Sequence, residues 1–421
     1  MVENTPVGRL SQECAAACAE AWWRGTSRLP ELPRTYARCE QRRRERELRL
    51  LVDELLEEAQ HPPTTVDERR AAERRLSLSG RAFARASLGA SDAHVDLLLH
   101  GGFATCATEF ARRAREFAPS MPLDEIFQAS RNVWTMNGLQ VMLGLPLRVT
   151  PSVFAYSMLY PLTDNLLDDP TVRELDKVRL GERFGRRLAG DPLPPESQVE
   201  TDLWRLVAEV ESEHVRAEVP RVYESLAVIH SAQARSLSLL ERDEPPYGID
   251  VLGISLEKGG ASVLADGYLV AGDLSQANVS LFFSLGALLQ LADDLQDAAE
   301  DARCGMLTVF SQLLGRWPLD RLVFRLLHFR AWVLEQLRPN EAPAAAALAD
   351  LLRGASLQII LGAVAAAPRQ FTPDCVRRLE AHSPFGFRAL RREKRRLERR
   401  RDSSSVLAAA LAAALARDPA S

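Results

Sequence analysis

The chain is predicted to be all-α on three observations. Apolar residues recur at helical spacing over long stretches, no stretch alternates with a period of two between hairpin turns, and Pro- and Gly-rich breaks fall where helices would end. The first clear element is residues 41–60, where Leu48, Leu51, Leu55 and Leu56 form one stripe with charge elsewhere. Residues 201–240, 280–300, 320–338 and 344–366 follow the same spacing. The predicted breaks are His61-Pro62-Pro63, the Gly190–Pro195 run, the Asp243–Pro246 run and the Gly315–Pro318 run. No repeat of fixed period is present, which argues against a solenoid.

Composition narrows the class further. The 421 residues are 46% hydrophobic and 26% charged, enough for a sizeable core and too balanced for a disordered chain. A net charge of −4 gives no chain-wide attraction to nucleic acid or to an anionic membrane. No apolar run is expected to reach the roughly 18 residues that span a bilayer; the richest, Ala261 to Gly272, carries Asp266. The opening residues lack the basic-then-apolar order of a signal peptide, so a soluble, cytoplasmic protein without stable membrane insertion is expected. The six cysteines are scattered without zinc spacing and read as reduced packing residues. Only three of the 53 cations are lysines: Lys177, Lys258 and Lys394. Residues 388–401 hold nine cations against two anions, a run able to meet nucleic acid, lipid or a diphosphate, or to serve as a solvated helix face.

Two acidic clusters carry the chemistry. The first is Asp164-Asn165-Leu166-Leu167-Asp168-Asp169, ended by Pro170. On a helix Asp164 and Asp168 share one face, and Tyr160 and Tyr156 continue that face through earlier turns. Pro161 within this stretch would remove a hydrogen bond and kink the axis. The second cluster is Gln290-Leu291-Ala292-Asp293-Asp294-Leu295-Gln296-Asp297, with Asp293 and Asp297 again four apart. The lead-in, Leu281 to Leu289, is almost wholly apolar, and carboxylates at the end of a buried helix are costly unless paired or metal-bound. Singly, each cluster is more often a solvated face or a partner for arginines. Together they can hold hard cations such as Mg²⁺, which neutralise charge on a departing diphosphate. No Walker A, G-x-G-x-x-G, H-E-x-x-H or G-x-S-x-G motif suggests another chemistry.

With these motifs in place, the sequence resembles the class I isoprenoid synthase superfamily, especially its trans-prenyl diphosphate synthases. Lys258-Gly259-Gly260-Ala261-Ser262 is similar to the family's K-T-G/A-x-L helix break, and Gln290, Asp293, Asp294 and Asp297 to its Q-x-x-D-D-x-x-D motif. Asp164-Asn165-x-x-Asp168 resembles the first aspartate-rich motif with Asn in second place. The resemblance covers roughly residues 120–375. It implies a helical bundle around a central cavity, with a core at 116–380, an N-terminal helical extension at 1–115 and a basic, Ala-rich tail at 381–421. It also implies three Mg²⁺ ions held by Asp164, Asp168, Asp169, Asp293, Asp294 and Asp297, with Asp164, Asp168 and Asp293 as the catalytic carboxylates. Lys258, Arg303 and Gln290 would contact the diphosphate, and Phe154, Tyr156, Tyr160, Phe282 and Phe283 would line an apolar cavity.

The departures sharpen the expected activity. The segments that serve isopentenyl diphosphate in chain-elongating members read here Gln128-Ala129-Ser130-Arg131-Asn132-Val133-Trp134 and Pro170-Thr171-Val172-Arg173-Glu174, keeping Arg131 alone. The later G-K-x-T segment is reduced to Arg303-Cys304-Gly305-Met306-Leu307-Thr308, without its lysine. The usual second motif of the cyclases is also missing. An atypical terpene synthase acting on one allylic prenyl diphosphate (C15 or C20) is therefore expected, possible as a homodimer and without nucleic acid as a partner. The alternatives are squalene/phytoene synthase-like coupling, chain elongation, or a non-catalytic helical subunit of a prenyl synthase.

Overall fold

The computed structural model describes residues 2–61, 65–85, 91–99, 102–168, 173–240, 248–337 and 342–398. Among the described residues there is no strand, and the fold is all-α. The α-helices are α1 (Pro6–Arg24), α2 (Arg38–Gln60), α3 (Val66–Phe83), α4 (Asp92–Leu99), α5 (Phe103–Phe117) and α6 (Leu123–Met142). They continue with α7 (Pro151–Asp168), α8 (Glu174–Leu188), α9 (Gln198–Glu213), α10 (Pro220–Ser236) and α11 (Val251–Ala271). The last five are α12 (Gln276–Cys304), α13 (Asp320–Glu335), α14 (Pro343–Ala366), α15 (Pro373–Glu380) and α16 (Phe387–Glu398).

Two expectations about helix limits need correction. The stretch 201–240 is not one helix: α9 ends at Glu213 and α10 starts at Pro220. Proline at the first position of a helix has no N–H to lose, so it opens α10 where it could not continue α9. His214, just past α9, is buried and its Nε2 lies 2.9 Å from the Leu269 carbonyl of α11. The second correction concerns membrane-spanning length. Among the described residues, α14 alone is long and apolar enough to cross a bilayer, at a mean hydropathy of 1.5. It buries Leu348, Leu357, Ile360, Leu361 and Val364, and 44% of its most apolar window lies inside the structure. Pro161 lies inside an unbroken α7, and the Asp243–Pro246 break falls outside the described residues.

The chain forms two compact units, one of residues 1–30 with 150–338 and the other of 31–149 with 339–421. The expected limits at 115/116 and 380/381 both fall inside the second unit. In the first unit α11 is the axis. Apart from Glu257, Lys258 and Asp266 its residues are apolar or small, most of them are buried, and α1, α7, α10 and α12 pack on it. α1 starts at a Thr5 cap, whose hydroxyl accepts the Gly8 N–H at 3.0 Å. It buries Val7, Cys18 and Trp22, the last edge-on to Phe329 of α13 at 6.3 Å. α8 is tied to α9 by Arg183, which donates to Glu200 at 2.6 Å, and by Arg187, which pairs with Glu211.

In the second unit α14 packs with α4, α6, α15 and α16, and α2 packs with α3 and α16. Its core includes Leu97, Phe103, Val141 and Leu348. All six cysteines are free thiols; Cys18, Cys106 and Cys375 are buried as packing residues should be, whereas Cys39 and Cys304 are exposed.

Candidate functional site

The second acidic cluster owes its surroundings to a close helix pair in the first unit. α11 and α12 are joined by a turn at Gly272, whose φ of +75° favours glycine, and Ser275 caps α12. A Cβ at Gly286 would lie 2.1 Å from the Gly259 carbonyl oxygen, and one at Gly259 would lie 2.5 Å from the Gly286 oxygen. Two glycines therefore let the backbones touch. Phe283 fills the notch at Gly260, and Phe282 the notch at Gly267. This corrects the expected helix break: α11 runs without interruption through Lys258-Gly259-Gly260. The glycines permit close packing and leave the helical hydrogen bonds intact. Phe282 and Phe283 are fully buried in this contact.

One turn beyond Gly286 the helix becomes polar. Asp294 is only 6% exposed, and its Oδ1 accepts from Gln290 Nε2 at 2.8 Å. Its Oδ2 is buried without a hydrogen-bond partner. Burial pushes the Asp294 carboxyl up to about 6, against the pull of Gln290, Ser255 and the Lys258 charge. Lys258, from α11, is thus beside the second motif. Asp293 and Asp297 are exposed on the same helix. Arg303 is also exposed and pairs with Glu300 at 2.9 Å.

Asp301 was not among the residues expected to act, yet it belongs to this surface. Burial, and then the charges of Asp294, Asp297 and Asp293, push its carboxyl up to about 7. The signal for it was the D-x-x-x-D spacing, which Asp293 and Asp297 extend by one more turn to Asp301.

The first motif is only partly visible. α7 is helical to Asp168, but the side chains of Tyr160, Asp164 and Asp168 lie outside the described residues, as does the whole of Asp169. Upstream on the same helix, Phe154 is buried and Tyr156 half-buried. Thr163, the residue before Asp164, lines a cavity of about 300 Å³ within the first unit. Lys177 and Phe184 of α8, Leu203 of α9, and His230 and Gln233 of α10 form much of the rest of its wall. Of the aromatic residues expected to line a cavity, Phe154, Tyr156, Phe282 and Phe283 are not among its described lining residues, and the side chain of Tyr160 lies outside the described residues. Burial holds the His230 imidazole below its ordinary range, with a hydrogen bond to the Gly181 backbone acting the other way.

The donors are of the right kind for Mg²⁺, which takes carboxylate oxygens. Among the described residues, however, no group of three or more His, Cys, Asp or Glu side chains is arranged to hold a metal ion. Asp293 and Asp297 offer two exposed carboxylates one turn apart, so a complete set would need Asp164 and Asp168 as well. Comparison with protein-family models, with curated proteins and with solved structures gave no match.

Proposed function

We propose that the protein is a Mg²⁺-dependent class I terpene synthase that ionises an allylic prenyl diphosphate and releases diphosphate. The observation that carries this reading is the adjacency of Lys258 on α11 to the Gln290–Asp297 motif on α12, created by the Gly259–Gly286 contact. A cation and clustered carboxylates on one helix pair suit a charged, phosphate-bearing substrate. Asp293 and Asp297, with Asp164 and Asp168, would hold the metal; Asp294 would orient Gln290 and offset the Lys258 charge. When bound, Mg²⁺ supplies positive charge to the departing diphosphate. Lys258 would bind the same oxygens, and an apolar wall would keep water from the allylic cation.

The test is incubation of the pure protein with Mg²⁺ and C10, C15 and C20 prenyl diphosphates, each with and without isopentenyl diphosphate. Diphosphate release and a hydrocarbon of unchanged carbon number are expected, and loss of both in Asp164→Ala and Asp293→Ala. A product of doubled carbon number would replace the reading with coupling, and a longer diphosphate made only with isopentenyl diphosphate would replace it with elongation. No turnover with any of them would leave a helical subunit without this chemistry.

A further inference from the structure

The second unit carries an arginine surface that the proposed chemistry does not use. α2 runs parallel to α16 and the segment that leads into it, and three contacts hold them together. Gln41 Nε2 donates to the Ser383 carbonyl at 3.0 Å, the Gly386 N–H donates to Glu45 at 2.9 Å, and Arg396 pairs with Asp53. Glu380 holds the start of α16 by accepting the Phe387 N–H at 2.7 Å. Glu393, nearly fully buried, accepts from Arg392 and Arg396 and anchors the underside of α16.

Flanking this seam are two matched rows. Arg42, Arg46 and Arg49 follow one face of α2, and Arg49 sits one turn from both Glu45 and Asp53, the residues that reach α16. Arg388, Arg392 and Arg395 repeat the same spacing on α16. All six are exposed, and five of them (Arg42, Arg46, Arg49, Arg388 and Arg395) make no ion pair with a carboxylate among the described residues. Their guanidinium groups are always charged, so this local field is positive although the chain as a whole is not.

Two features select the partner. Leu50 is 63% exposed, one turn from Arg46 and next to Arg49. Beyond α16 the sequence continues as Arg399-Arg400-Arg401 and soon reaches residues 406–416, composed only of Val, Leu and Ala. Cations interleaved with apolar side chains suit the charged headgroup layer of a bilayer, whereas nucleic-acid surfaces pair cations with polar and stacking groups. We infer that the α2/α16 arginine surface docks the protein peripherally on an anionic lipid bilayer. The inference does not depend on the terpene synthase reading.

The test uses the full chain in co-sedimentation with phosphatidylglycerol-rich vesicles and with pure phosphatidylcholine vesicles. Binding to the anionic vesicles alone is expected, falling as salt is raised and weakening roughly fivefold per arginine removed. Two variants locate it: Arg42→Gln with Arg46→Gln and Arg49→Gln, and Arg388→Gln with Arg395→Gln, each checked for an unchanged melting curve. Equal binding to neutral vesicles would overturn the inference, as would variants that bind like the parent. Tighter binding to a DNA duplex at the same salt, lost in the same variants, would assign the surface to nucleic acid instead. Should a variant melt early, the salt dependence of the parent decides alone, and vesicle binding that salt leaves unchanged would overturn the inference.

Discussion

The α11/α12 pair of the first unit and the α2/α16 pair of the second solve the same packing problem in opposite ways. α11 meets α12 through Gly259 and Gly286, with Phe282 and Phe283 filling the notches beside them. α2 meets α16 through polar contacts, from Gln41, Glu45 and Asp53 to Ser383, Gly386 and Arg396. The first contact draws a carboxylate, Asp294, out of water and changes how it titrates. The second leaves Arg42, Arg46, Arg49, Arg388 and Arg395 exposed to solvent. A cluster of charge in a sequence therefore has two different meanings, and the neighbouring helix decides between them.

The largest expected effect breaks the first contact directly. Gly286→Ala would put a methyl group 2.1 Å from a backbone oxygen, which only movement of a whole helix relieves. Such overpacking is expected to cost about 3 kcal/mol in urea unfolding. Gly386→Ala is the counterpart in the second pair. Its methyl meets the Glu45 Oε1 at 2.7 Å, the movable end of a side chain. That change is expected to cost less than about 1 kcal/mol. Equal costs would remove the distinction between the two seams.

A smaller effect reports the desolvation of Asp294. Its carboxyl is raised from an ordinary 3.8 to about 6, so the folded state holds the proton more tightly than the unfolded state does. The native state is therefore not penalised below pH 3.8 and loses stability as the pH rises toward 6. Asp294→Asn keeps an oxygen for Gln290 and removes the titration. It should be more stable than the parent by roughly 2 kcal/mol near pH 8, with the gain shrinking toward pH 4. Urea unfolding at several pH values measures this. A variant less stable than the parent at the higher pH would mean that attraction to Lys258 outweighs burial.

The contrast also explains what the sequence could reveal. The all-α class was legible because apolar spacing is local, and the second motif was legible as spaced carboxylates after an apolar run. The state of Gly259-Gly260 was not, since glycine marks a helix break and a close helix contact equally well, and only the position of Gly286 distinguishes them. The division of α9 from α10 was hidden because Pro220 sits inside an otherwise continuous apolar spacing. α14 was legible as a helix over 344–366, but its membrane-spanning length was not, because Asp350 and Arg353 interrupt its apolar run. The membership of α1 in the first unit depends on burial of Val7, Cys18 and Trp22 against helices distant in sequence. The cavity at Thr163, Phe184, Leu203 and His230 is likewise assembled from four helices, α7 to α10, without a shared motif.

The smallest expected effects lie at the starts of α12 and α2. Ser275 caps α12, its hydroxyl accepting the Asn278 N–H at 3.3 Å, while α2 starts at Ala37 with no side-chain cap although its backbone is extended there. A capping hydroxyl satisfies an N–H that the helix itself leaves unpaired. Ser275→Ala should therefore lower stability by about 1 kcal/mol, and Ala37→Ser should raise it by roughly 0.5 kcal/mol. Thermal melts of the two single variants read the signs. If α12 is held by its glycine contact so firmly that its first turn cannot fray, Ser275→Ala will cost the larger part of that figure at every temperature. A cost that vanishes on warming would instead show that the first turn opens independently of the Gly259–Gly286 crossing.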